Sequence, residues 1–292
     1  MRRSFQFVMC VVLLCAGASP SFGQKDDIES PHHKAWDMLM TAAFSKSTAE
    51  RTNGIRALGL LTANKRAREL AENALNDPNP SVRAAAATAL GQMHATESIA
   101  KLRKALADKN IPVVMAAAHS LRELNDNQPA YEIYYDLLTG ERKTSDGLIA
   151  EQIKTLKDPK EMAKIGFSEG IGYIPFAGIG WDAYRTLHKK DPNPVRAVAA
   201  TYLAHDPDPA SAKALVKATS DKNWIVRAAA VEAIAVRGDA KLMPKVEAKF
   251  SDRNPKVRYS AAAAVIRLSE IEHSKTEKEA LSSRSEGRHS AP

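Results

Sequence analysis

Two kinds of apolar spacing alternate along this chain. Ile99, Leu102 and Leu106, and again Leu242, Val246 and Phe250, recur at steps of three and four, the spacing of one face of an amphipathic helix. Elsewhere alanine replaces the larger apolar residues, as in Ala84 to Ala87 and Ala261 to Ala264, with Val82, Leu90, Val226, Ile234, Val257 and Ile266 set among these runs. Each alanine-rich run follows a short polar break such as Asp-Pro-Asn-Pro. In that break proline fixes φ, and Asp or Asn accepts local hydrogen bonds. A proline in the first helical turn forfeits no hydrogen bond, so a helix starts there. The pattern predicts paired helices: one amphipathic, and one rich in alanine that lets neighbouring helices approach closely.

The pair recurs. DPNPSVRAAAATALG starts at Asp77, DKNIPVVMAAAHSL at Asp108, DPNPVRAVAATYLA at Asp191, DKNWIVRAAAVEAI at Asp221 and DRNPKVRYSAAAAVIRL at Asp252. An earlier copy, RTNGIRALG at Arg51, lacks the aspartate. The equivalent positions Arg51, Arg83, Val114, Arg196, Arg227 and Arg258 keep a nearly constant step, broken once between Val114 and Arg196. A constant step of about 31 residues marks stacked supersecondary units. One pair cannot cover its own apolar faces, so the copies must stack. The expected fold is all-α, an α-solenoid of about six helix pairs, with one step that exceeds the period by 51 residues.

From about His33 to Leu268 these residues resemble HEAT repeats, in particular the HEAT-like type named after phycobilisome lyases. The resemblance implies a ladder between neighbouring repeats, built from Asp77, Asp191, Asp221 and Asp252 with Arg83, Arg196, Arg227 and Arg258. An Asp six residues before an Arg, in the same place in successive units, independently favours ion pairs and cap bonds. Arg196 departs from the spacing, standing five residues after its Asp, and Val114 removes the cation from its repeat. Such arrays serve as scaffolds and binding surfaces, so a resemblance of this kind implies a fold more than a chemistry.

The long step contains the exposed loop TGERKTSDG, an amphipathic stretch from Leu148 to Ala163, and then GFSEGIGYIPFAGIGW from Gly166 to Trp181. This last segment carries five glycines and one proline among Phe167, Ile171, Tyr173, Ile174, Phe176, Ile179 and Trp181. It resembles an insert of exported bacterial HEAT-repeat proteins to which no activity is attached. Three readings compete for it. It is a Gly-rich hairpin plugging the groove, a partner-binding patch of the kind insertions in solenoids mark, or a membrane-touching element. Its uncharged run, from Gly170 to Trp181, falls well short of the roughly 20 residues that span a bilayer. It is no nucleotide loop, because no Gly-Lys-Ser/Thr follows the glycines.

The start of the chain changes the picture again. Residues 1–23 carry Arg2 and Arg3, an apolar run from Phe5 to Ala18, and small residues Ser21 and Gly23 before Gln24, the plan of a secretory signal peptide. A lipid anchor on Cys15 is the rival, poorly supported because Leu14 stands where a small residue is wanted. Cleavage removes Cys10 and Cys15, leaving no thiol and 40 basic against 34 acidic residues, a net charge of +6. That surplus is mild and interspersed with acid, so nucleic acid is not an expected partner. The organisation expected is a signal peptide over 1–23, repeats over 24–138, an irregular insert over 139–190, repeats over 191–268 and a disordered tail over 269–292.

No catalytic constellation accompanies these features. The eight histidines include no pair at helical spacing of three or four, so no metal or cofactor is expected. Some HEAT-like proteins are di-iron hydroxylases with repeated His-Glu dipeptides; this chain has none, and that activity is not inherited. There is no G-x-S-x-G elbow either. The sequence therefore reads as an exported, periplasmic or secreted scaffold without catalysis, binding a protein or peptide along its groove. The expected contacts are the alanine-rich helices with His119, and Tyr173, Phe176 and Trp181. The alternatives are a metal-dependent enzyme or enzyme subunit and a peripheral membrane protein.

Overall fold

The computed structural model describes residues 30–139 and 193–289; over these residues it contains twelve α-helices and short 3₁₀ turns, with no strand. The signal segment and almost all of the irregular insert lie outside the described residues. The first group is α1 (Pro31–Ala43), α2 (Thr48–Ala57), α3 (Lys65–Ala74), α4 (Pro80–Gln92), α5 (Ile99–Ala105), α6 (Ile111–Glu123) and α7 (Asn127–Thr139). The second is α8 (Asn193–Leu203), α9 (Pro209–Ala218), α10 (Trp224–Arg237), α11 (Met243–Glu247) and α12 (Pro255–His289).

The polar breaks start helices through two nested bonds. Asp77, Asp108, Asp221 and Asp252 each accept the amide of the Asn two residues on, at 2.8–2.9 Å. The Asn79, Asn223 and Asn254 side chains then accept the amides of Ser81, Ile225 and Lys256 at 2.8–2.9 Å. Such caps contribute about 1 kcal/mol each. Gly238, at φ 73°, closes α10 in the left-handed region that glycine enters without penalty.

The even-numbered helices α2, α4, α6, α8, α10 and α12 pack on one another as an inner layer. The remaining helices lie against that layer from one side, while contact between one outer helix and the next is sparse among the described residues. Alanines 84–87 and 261–264 are buried, and their small side chains permit the close inner spacing. At Gly91 a Cβ would stand 2.5 Å from Ser120 Oγ of the adjoining α6. Ser120 donates there to the Ala87 carbonyl at 2.9 Å.

Order in space differs from order in sequence. Helix α12 packs against α10 on one side and against α1 and α2 on the other. The inner layer therefore runs α8, α10, α12, α2, α4, α6, with α1 filling the outer position between α12 and α2. One buried cluster takes in residues from Ala35 to Leu124 and from Ala200 to Leu268. Across this seam Asn64 Nδ2 donates to Glu270 Oε1 at 2.6 Å. Arg267 donates to the Leu60 carbonyl (2.7 Å), Thr62 Oγ1 (2.9 Å) and the Ala235 carbonyl of α10 (3.0 Å). The long step in the sequence period thus separates α6 from α8, the inner helices at opposite ends of the described stack.

Residues beyond 269 differ from the expectation of disorder. Helix α12 continues to His289, and Ser269 Oγ lies 3.2 Å from Met243 Sδ. The physical reason lies in composition: no Pro follows Pro255 and no Gly precedes Gly287 within the helix, and Lys, Glu, Ala and Leu are good helix formers. Side chains from Ile271 to Ser282 face solvent, so the extension is held by backbone propensity rather than packing.

Candidate functional site

Each ladder arginine spans two repeats. Arg227 Nε and Nη2 reach the Asp252 oxygens of the next unit at 2.7 and 2.8 Å, while Nη1 donates to the Asp221 carbonyl of its own unit at 2.9 Å. Arg83 does the same with Asp108 (2.7 and 2.9 Å) and the Asp77 carbonyl (2.8 Å). Arg51 holds Asp77 at 2.8 and 3.1 Å, and Arg196 pairs with Asp221. Burial alone pushes the Asp77, Asp108 and Asp252 carboxyls up. Hydrogen bonds from the arginines and the capped amides outweigh it and hold all three below the ordinary aspartate value. Asp191 lies outside the described residues. Val114 is buried against Ala118, Ala130 and Ile133 instead of carrying a rung.

Arg51 and Asp108 belong to the ladder although the sequence reading left them out. The signal was the spacing from Arg to the following Asp, 25 residues at Arg83, Arg196 and Arg227 and 26 at Arg51. Arg258 has no such aspartate ahead of it, because Ser45 occupies the corresponding break. It donates to its own Asp252 carbonyl at 2.9 Å and lies 3.8 Å from Glu50 of α2. Tyr259 OH donates to the same Glu50. Burial first, and then that hydrogen bond, push the Tyr259 phenol up to about 12. The seam therefore replaces a bidentate rung with a looser one.

The other side of the inner layer follows from the same register. Val82, Ala86 and Leu90, along one face of α4, are buried. The opposite face carries the residue five places after each ladder position. In spatial order these are Thr201, Glu232, Ala263, Arg56, Thr88 and His119. At the centre, Ser260 Oγ donates to Glu232 Oε1 at 2.8 Å. Burial pushes the Glu232 carboxyl up, against the pull of the Ser260 bond and the charges of Arg56 and Lys256. Lys256 Nζ stands 4.9 Å from the centre of the Trp224 ring.

His119 is 7% exposed, with Nε2 3.2 Å from Glu123 Oε1. It is thus a packed side chain at the far end of this row. Tyr173, Phe176 and Trp181 lie outside the described residues. A shallow cleft of about 330 Å³ lies between the α8–α9 and α10–α11 turns. Its Arg237 is spent on the carbonyls of Asp206, Pro207 and Asp208. Among the described residues no group of three or more His, Cys, Asp or Glu is placed to hold a metal ion, and no helix is long and apolar enough to cross a membrane.

A family model described as HEAT repeats matches residues 37–122 and 185–271, more than half of the chain. Solved structures similar to this chain include human deoxyhypusine hydroxylase in complex with glycerol, at 17% identity over 80% of this chain and 83% of that one, with a TM-score of 0.31. The complex of CpcE and CpcF of phycocyanin lyase from Nostoc sp. PCC7120 is 18% identical over 91% of this chain and 99% of that one, with a TM-score of 0.31. A designed armadillo repeat protein is 18% identical over 80% and 98%, with a TM-score of 0.26. No curated protein matches the sequence.

Proposed function

Because this chain belongs to the HEAT-repeat family, we propose that it is an exported scaffold that holds a protein or peptide partner along its inner layer and has no catalysis of its own. One observation supports this most: in the row Thr201, Glu232, Ala263, Arg56, Thr88 and His119 four of the six inner helices keep a part-exposed polar side chain, Ala263 and His119 being buried, and the row continues across the seam. Packed helices stand about 8–10 Å apart, and an extended chain rises about 3.3 Å per residue. A bound strand would thus meet a new helix about every three residues. Its part-exposed members mix acid, base and hydroxyl groups, which suits side-chain selection along a peptide better than bond-making at one point.

Photo-crosslinking side chains placed at Thr88 and Met115 on the inner layer, and at Lys104 on the outer layer, test the reading in cells. Crosslinks to a discrete polypeptide from 88 and 115 but not from 104 are expected. Crosslinks confined to 104 would overturn it. Alanine at Tyr173, Phe176 and Trp181, with folding checked by circular dichroism, asks separately whether the insert contributes. Mass measurement of the exported chain should find Gln24 at its start, and elemental analysis of purified protein should find no stoichiometric metal.

A further inference from the structure

The outer layer carries its charge differently in the two arrays. Around α3 and α5 four of the six cations have acidic partners, Lys65 with Glu69 (3.7 Å), Arg68 with Glu72 (3.0 Å), Lys101 with Glu72 (2.5 Å) and Arg103 with Asp126 (2.6 Å), while Arg66 stacks on the Trp36 ring and Lys104 makes no ion pair among the described residues. Around α9 and α11 the lysines have no such partners. Lys213, Lys217, Lys222, Lys241 and Lys245 are all exposed, and none makes an ion pair within 4.0 Å among the described residues. Among the described residues, the nearby acids make no ion pair with these lysines. Asp221 and Asp252 serve the ladder, Asp239 accepts the Lys241 amide at 3.1 Å, and Asp208 accepts the Ala210 amide at 2.7 Å. Glu247 lies on the half-buried side of α11.

These lysines share one aspect of the molecule. Leu215, fully buried, anchors α9, and Lys213 and Lys217 stand two places to either side of it, about 200° around the helix and so away from the core. Val246 anchors α11 in the same way, with Lys241, Pro244 and Lys245 exposed. Lys249 Nζ donates to Ser220 Oγ at 3.1 Å and holds the ends of α11 and α9 side by side.

We propose that this lysine face is a docking surface for an anionic lipid bilayer, contacting phosphate headgroups without inserting. None of the large exposed apolar residues, such as Tyr131, Tyr135 and Tyr202, lies on α9 or α11. Protein interfaces centre on aromatic and arginine anchors and are depleted in lysine, so this face lacks what a folded partner needs. Ammonium groups on rotatable stems need no shape complement and match a fluid field of headgroups. Near such a surface each lysine raises partitioning by roughly fivefold, and salt screens the effect. Docking on the outer layer leaves the inner layer free, and the proposal stands independently of what that layer binds.

The test uses the full chain and sedimentation with phosphatidylcholine vesicles, with and without about one-third phosphatidylglycerol. Binding is expected only with the anionic lipid, and it should fall steeply between about 0.1 M and 0.5 M salt. The variant K213E/K217E/K245E should lose at least about fiftyfold in partitioning, while K46E/K65E/K104E, of equal net charge, stays within about fivefold of the parent. Melting followed by circular dichroism verifies that both remain folded. Failure of the parent to bind, or equal losses in the two variants, overturns the proposal. Capture by polyglutamate at a salt concentration where vesicles are ignored overturns it too, and assigns the face to an acidic polypeptide.

Discussion

Replacing Arg227 by alanine isolates one rung of the ladder. In the parent, the side chains of Arg227 and Asp252 are 6% and 9% exposed, and two parallel hydrogen bonds join them. Arg227 also satisfies the carbonyls of Asp221 and Lys222. Alanine leaves a buried carboxylate and two carbonyls without their donor. Breaking a buried pair from one side costs about 3–5 kcal/mol, whereas exchanging both partners for apolar groups of similar volume is close to neutral. R227A should therefore lose about 3–5 kcal/mol, and R227M/D252L should regain only part of that loss, because it still leaves the Asp221 and Lys222 carbonyls and the Asn254 amide without these partners. R196A, whose arginine is about half exposed, should lose far less. Urea unfolding followed by helical dichroism gives the totals. Amide exchange in α10 and α12 shows whether the loss is local, as expected of a stack stabilised repeat by repeat. The carboxyl of Asp252 is held below its ordinary 3.8, so the rung is at full strength above that pH and is lost as the pH falls through the lower folded value. R227A should flatten that acid limb. Equal losses in R227A and R196A, or a double variant as unstable as the single one, would refute the assignment of the stability to ionic pairing.

Other perturbations probe other parts of the fold. The Tyr259 phenol, raised from 10.0 to about 12, stabilises the seam fully below pH 10 and stops doing so as the pH passes about 12. Absorbance titration should show one late-ionising tyrosine that Y259F removes. At Gly54 a Cβ would stand 2.5 Å from the Ala42 Cβ, so G54A should destabilise the α1–α2 packing by about 1–3 kcal/mol, read from urea unfolding. Glu232 has the opposite sign to the ladder aspartates. Its carboxyl is raised by burial, so its contribution is present below its ordinary 4.5 and is lost as the pH rises through the folded value. E232Q keeps an oxygen for Ser260 and should remove that alkaline slope from the pH dependence of stability, whereas a slope unchanged from the parent would count against the burial of this group.

The helix pairs were legible because each rests on local chemistry. Asp-x-Asn breaks cap helices within a few residues, and alanine runs mark close packing wherever they fall. Asp77, Asp221 and Asp252 with Arg83 and Arg227 could be named for the same reason, their repeat register being visible in the sequence. The partner of each arginine was harder to see, since it is the aspartate that opens the following repeat rather than the one that opens its own. The seam was not legible at all. Glu50 meets Tyr259, and Asn64 meets Glu270, across more than 200 residues, and none of these positions repeats elsewhere with the same partner. Glu232 and Arg56 escaped notice because a single polar residue in an alanine-rich helix looks like a solvated one until its neighbours are known.

A stack whose central interface is made last in sequence terms has a kinetic consequence. Ordinary solenoids grow from any nucleus by adding the next repeat, with contacts that are short in sequence. Here α2 and the 3₁₀ turn that follows it wait for α12, roughly 200 residues later, so two separately grown halves must meet in a single event of large loop closure. During synthesis both halves display an uncovered apolar end at the same time, which makes the delay before they join the period of greatest exposure to aggregation.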